Sequence, residues 1–295
     1  MIFAVLGDAN IRKQSFIFSM ARELAAVKKS VVIVDLDPCS PVGEYLADEE
    51  VALSVGEVVT STELTQELVL KSLLKTSSER ICLSCYRTGD FSLKYPKIHR
   101  SQVSDFLTHL SPLADYVLIN INGDISISEG YKAVIQAASG VILVVDDSLY
   151  SIGVYYSLLE QINAEYRVVA IGKRDLIERA LRSADVYLEY SSEMLSISSS
   201  KEALTANEFG KRDKKCLVHL RAFLQELTGE NFVVKGLRQK KASADRVKTE
   251  DGVKKENAGK NERRLGKIFE IPRRTTGFRA GLKNMLKKLS KRGEY

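Results

Sequence analysis

At 295 residues the chain is about twice the length of a typical single domain, so one large domain or two modest ones fit. Apolar residues make up 44% and charged residues 28%, which supplies a buried core and excludes global disorder, a collagen repeat and a disulfide-stapled mini-protein. The net charge of +6 conceals two opposite parts: residues 1–232 carry 24 Lys/Arg against 31 Asp/Glu, and residues 233–295 carry 20 against 7, an acidic body with a basic arm that calls for an anionic partner.

In chain order, Ile2–Leu6 reads as a short, continuously apolar strand ending at Gly7, and a helical pattern follows from about Gln14 to Lys29. Val31–Asp35 is the second strand, and Ile81–Leu83, Tyr116–Ile119, Val141–Val145 and Val168–Ile171 have the same character. Continuous rather than alternating apolar runs mark parallel strands covered on both faces. The helical stretches between them make βαβ units, so the expected fold class is α/β, a mostly parallel sheet flanked by helices. A helix over Asp213–Thr228 closes the body, with Leu217, Leu220, Leu224 and Leu227 at helical spacing and Gly229 as its stop. Cys82 and Cys85 form a lone CxxC, half a zinc site at most, and read as buried structural thiols. His99, His109 and His219 lie far apart in sequence, so no metal site is assigned. No apolar run reaches the ~20 residues of a membrane-spanning helix, the N-terminus has no signal-peptide pattern, and four cysteines suit a reducing compartment. A cytoplasmic protein is expected.

Three segments follow from composition: an α/β domain over residues 1–232, a flexible basic linker over 233–271 and a basic amphipathic helix over 272–295. Arg238 to Arg264 is Lys-, Glu-, Asp-, Gly- and Asn-rich with almost no large apolar groups, too little to offset the entropy of ordering. In the last segment Phe278, Leu282, Met285, Leu286 and Leu289 share one helical stripe, flanked by Arg279, Lys283, Lys287, Lys288, Lys291 and Arg292. A basic amphipathic helix of this kind suits an anionic membrane surface. Nucleic acid and protein docking are the alternatives. A DNA-binding arm needs no apolar stripe, and with only Phe269 and Phe278 as principal aromatics, base stacking is poorly supported.

The first strand leads into Gly7-Asp8-Ala9-Asn10-Ile11-Arg12-Lys13-Gln14-Ser15, where a phosphate-binding loop would sit, and the second ends in Asp35-Leu36-Asp37-Pro38, followed by Gly43-Glu44-Tyr45-Leu46. Over residues 1–230 this combination resembles the MinD/ParA group of deviant Walker ATPases, and within it the CpaE/TadZ-like pilus-localisation branch. The resemblance implies a P-loop NTPase-like fold, a face-to-face homodimer, and ATP or ADP with Mg²⁺ as the candidate cofactor. It places Gly7, Lys13, Gln14, Ser15, Asp35 and Asp37 in the cofactor region. The pattern also departs from that family. With Lys13 aligned on the lysine before the Mg²⁺-binding hydroxyl, Asp8 falls on the signature lysine. Ala9, Asn10 and Arg12 replace glycines, and Gln14 replaces the hydroxyl. Asn120 stands where an Asp would support Mg²⁺, and Gly172-Lys173 follows a strand that normally ends in an adenine-reading Asn. Side chains at the glycine positions obstruct approach to phosphate, and an Asp beside phosphate repels it. Arg12 and Lys13 retain some attraction for anions, and Asp35 is either a vestigial catalytic group or a structural cap.

The expected function is that of a non-catalytic scaffold or localisation protein, peripheral at the inner face of the cell membrane, that positions a pilus- or secretion-type apparatus through protein partners. The alternatives are a slow ATPase with an atypical phosphate loop and a nucleic-acid-binding partition protein using the basic tail.

Overall fold

The computed structural model describes residues 1–8, 11–37, 43–90, 94–95, 98–123, 128–181, 183–189 and 214–232. The linker and tail, including Phe278, Leu282, Lys283, Met285, Leu286, Lys287, Lys288 and Leu289, lie outside these residues, as do Ala9 and Asn10. The elements run β1 (Ile2–Gly7), α1 (Ile11–Ala26), β2 (Val31–Asp35), α2 (Gly43–Leu46), α3 (Val55–Val59), α4 (Gln66–Lys71), β3 (Leu74–Lys75), β4 (Ile81–Ser84), α5 (Arg100–Leu110), β5 (Tyr116–Asn120), α6 (Glu129–Ala137), β6 (Gly140–Asp146), α7 (Leu149–Leu159), β7 (Tyr166–Ile171), α8 (Arg174–Ala180), β8 (Val186–Leu188) and α9 (Lys214–Thr228).

Among the described residues the strands form one sheet of order β3-β4-β2-β5-β1-β6-β7-β8. Every pairing is parallel except β3 with β4. Alternate residues of the same strands supply two separate cores, as a sheet covered on both faces requires. Ala4, Leu6, Val32, Val34, Val117 and Ile119 join one core with side chains of α3 to α8. Phe3, Val5, Val31, Ile33, Tyr116 and Leu118 join the other with α1 and α9. Helix α9 is seated by Leu220, Phe223 and Leu224 on the α1 side of the sheet, and Gly229 at φ +73° ends it in the conformation glycine tolerates best. Cys85 is buried and Cys82 half-buried, and burial pushes both thiols up.

The order places β2, β5 and β1 side by side, so their carboxyl ends form one rim, the place where open α/β sheets collect functional groups. β6 and β7 continue that rim.

Candidate functional site

Asp35 closes β2 and is paired in register with Asn120, the last residue of β5. Gly7 closes β1, next to β5. Its φ of +147° and the 2.3 Å that would separate an added Cβ from the Val144 carbonyl oxygen exclude any other residue there without a backbone shift. After this turn α1 begins at Ile11, so Lys13 lies in its first turn with its side chain directed at the rim.

The Lys13 ammonium is fully buried. It donates to the carbonyl of Gly7 at 3.3 Å, to the carbonyl of Ile121 at 3.0 Å and to Asp37 Oδ2 at 3.2 Å. Asp37 is equally buried, and its Oδ1 accepts from Asn122 Nδ2 at 3.1 Å. The Asp37 backbone N–H donates to Asp35 Oδ1 at 3.2 Å, and Asn120 Nδ2 donates to the same oxygen at 2.8 Å. Asn120 Oδ1 is buried with no hydrogen-bond partner. Burial and the charge of Asp37 push the Asp35 carboxyl up to about 7, against the lowering effect of those two hydrogen bonds and of Lys13.

Gln14 is buried and lines a cavity of about 10 Å³ with Asp35, Ser84, Cys85, Asn120 and the apolar Ile17, Phe18, Ile33 and Leu83. That is room for roughly one water. The Ser15 hydroxyl turns back into its own helix, donating to the Ile11 carbonyl at 2.6 Å. Thus Gly7, Lys13, Asp35 and Asp37 come together at the rim, Gln14 reaches it through the cavity, and Ser15 is bonded within α1.

Arg12 points the other way along the rim, to Asp146 at 2.8 Å and Asp147 at 3.0 Å at the end of β6. Asp147 also accepts from the Lys173 backbone N–H at 3.1 Å, beyond the end of β7. Carboxylates therefore hold both cations of the loop, and the anion attraction expected of Arg12 and Lys13 is largely neutralised by internal partners. Four groups of this arrangement were missing from the sequence reading: Asn122, Tyr131 (whose hydroxyl donates to the Leu36 carbonyl at 2.8 Å), Asp146 and Asp147. Asp146 closes β6 as Asp35 closes β2, with Asp147 next to it, and that position is the signal in the sequence that points to them. Among the described residues no cluster of His, Cys, Asp and Glu is built to hold a metal ion, and no helix is long and apolar enough to cross a membrane.

No protein-family model and no curated protein sequence matches the chain. Among solved structures it is similar to a ParA family ATPase from Chlorobium tepidum TLS, at 15% identity over 75% of this chain and 97% of that one, with a TM-score of 0.59. It is similar to the MinD cell division protein of Aquifex aeolicus at 16% identity over 79% and 99%, with a TM-score of 0.57. The septum site-determining protein MinD of Pyrococcus horikoshii OT3, complexed with Mg-ADP, gives 12% identity over 77% and 95%, with a TM-score of 0.56. Likeness at these identities defines the fold: that of the MinD/ParA-type P-loop NTPases.

Proposed function

We propose that this chain is a positioning protein on a MinD/ParA fold whose nucleotide site is closed on itself, so that it works without ATP turnover. The observation that carries this reading is Lys13. An ammonium that serves a phosphate has to face an open cradle, yet here it is buried against Asp37 and two backbone carbonyls. Mg-ATP and Mg-ADP do not fit these residues. Asn120 brings a neutral amide, not a second carboxylate, beside Asp35, so little negative charge faces a divalent cation there, and the Ser15 hydroxyl donates to the Ile11 carbonyl within α1. Anchoring falls to residues 272–295, whose apolar stripe and flanking cations suit an anionic membrane, and the cargo is a membrane apparatus of pilus or secretion type.

Assembly in this reading is a homodimer formed across the rim without nucleotide. Ile11, Leu149, Tyr150 and Leu176 are large apolar side chains exposed on the first turns of α1, α7 and α8, the turns that follow the carboxyl ends of β1, β6 and β7, and in this reading they supply the apolar contacts of the dimer.

One preparation tests both halves. Phosphate release from Mg-ATP is expected to match a protein-free blank and to be unchanged by Asp35→Ala, and sedimentation is expected to give the same oligomer with and without Mg-ATP. Turnover that disappears in Asp35→Ala, or dimerisation only after ATP is added, defeats the proposal and restores the slow-ATPase alternative.

A further inference from the structure

We propose that Asp37 is a tethered anion seated on Lys13, a built-in competitor that keeps phosphate-bearing ligands away from the only lysine of the loop. The inference rests on the nucleotide-independent reading and supplies a cause for it. A carboxylate presents an ammonium with the same kind of charged acceptor that a phosphate oxygen does. The two side chains are sealed from solvent, 1% and 0% exposed, with Nζ and Oδ2 3.2 Å apart.

What turns a contact into a competitor is the rigidity of the carboxylate. Its second oxygen is held by Asn122 at 3.1 Å. The backbone leading to it is pinned at three points: the Leu36 N–H on the Asn120 carbonyl at 2.9 Å, the Tyr131 hydroxyl on the Leu36 carbonyl at 2.8 Å, and the Asp37 N–H on Asp35 at 3.2 Å. Groups from α1, β2, the segment after β5, and α6 all converge on it. A preorganised internal group has already lost its freedom of motion, whereas a free anion loses translation and rotation on binding. Displacing Asp37 also strands a buried carboxylate without its cation, which costs more than the pair contributes. The lysine is retained, and its partner is supplied from within.

The test is titration of the full chain with inorganic pyrophosphate, and separately with Mg-ATP, following melting temperature and bound ligand. The unmodified protein is expected to be indifferent to both. Asp37→Asn keeps an acceptor near Lys13 but removes the negative charge, so its melting temperature should fall and pyrophosphate should restore it. Affinity should tighten at least tenfold, about 1.4 kcal/mol, and the gain should vanish in Lys13→Met/Asp37→Asn. Asn122→Ala, which frees one carboxylate oxygen, should shift affinity in the same direction by less. If Asp37→Asn does not fold in buffer, refolding in pyrophosphate is compared with refolding in chloride of equal ionic strength. Recovery in pyrophosphate alone supports the proposal, and equal yields overturn it. No gain in Asp37→Asn while the unmodified protein stays silent overturns this inference and leaves the proposed function standing. Binding by the unmodified protein that Lys13→Met abolishes overturns both.

Discussion

Asp35, Asp37 and Lys13 bring two carboxylates and one ammonium into a buried space, and a net buried charge is costly. A proton on Asp35 relieves it, and the unpartnered Asn120 Oδ1 gives such a proton an acceptor once the amide turns. With its carboxyl raised by burial and by Asp37 to about 7, from an ordinary 3.8, the folded protein holds a proton on Asp35 that the unfolded chain has released. The folded state thus binds more protons between about pH 4 and pH 7, so this residue's contribution falls as pH rises through that window and levels off above it. Asp35→Asn keeps the acceptor for the Asp37 N–H and Asn120 and removes the buried charge. It should be more stable than the parent at pH 8, by on the order of 2–4 kcal/mol, with the difference shrinking toward pH 4. Urea midpoints of both proteins at pH 4.5, 6, 7 and 8 check this; a difference that does not change with pH removes the proton from the account. Asp35, Asp37 and Lys13 stand out in the sequence through the resemblance to the MinD/ParA group, which gives the end of β2 and the loop after β1 their meaning. Their mutual pairing does not. Lys13 and Asp37 are 24 positions apart, and only the order of β2, β5 and β1 makes them neighbours.

At the scale of elements, the strands with buried faces were readable because burial on both sides demands an unbroken apolar run. β2 over Val31–Asp35 agrees in both bounds, and β1, β4 and β5 differ by one residue at their carboxyl ends. The two outermost strands, β3 and β8, are two and three residues long, too short to leave a periodic pattern, and β3 alternates a buried Leu74 with an exposed Lys75. The short helices α2, α3 and α4 escaped for the same reason, since helices of one or two turns exist through tertiary packing rather than propensity. Helix α1 starts at Ile11, ahead of the expected Gln14, because Arg12 and Lys13 are bonded to rim groups that only the fold supplies. Helix α9 was read from its leucines, but Phe223 is a central anchor too. Its ring lies 6.3 Å from that of Phe16 on α1, and the neighbouring Arg221 donates to Glu23 at 2.6 Å. Phe223→Ala should therefore lower unfolding stability by about 3–5 kcal/mol in urea denaturation, as a large cavity between packed helices does. A loss below about 1 kcal/mol would mean that α9 is held chiefly by its polar contacts.

For the whole molecule the deciding feature is the division of charge, −7 over residues 1–232 and +13 over residues 233–295. An acidic body is repelled by an anionic membrane, so in the proposed reading recruitment comes from the tail and outweighs that repulsion. Burying Phe278, Leu282, Met285, Leu286 and Leu289 at roughly 1.5 kcal/mol each yields about 7 kcal/mol, from which the cost of ordering the helix is subtracted. The remainder is small enough for the flanking cations, at about 1 kcal/mol per basic residue near the surface, to decide whether the chain binds. Binding to anionic liposomes should therefore weaken steeply with added salt. Met285→Glu should reduce it even at low salt, because a carboxylate in the stripe both opposes burial and repels the headgroups. Replacing Lys287 and Lys288 together by Gln should chiefly flatten the salt dependence and leave part of the binding intact. Co-sedimentation of the full chain, the two variants and a chain ending at Phe232 with anionic and neutral liposomes separates these effects. Equal pelleting of the full chain and the shortened one places the membrane contact on the body. Binding to duplex DNA with indifference to anionic liposomes assigns the basic arm to nucleic acid, and the proposed anchoring is then wrong.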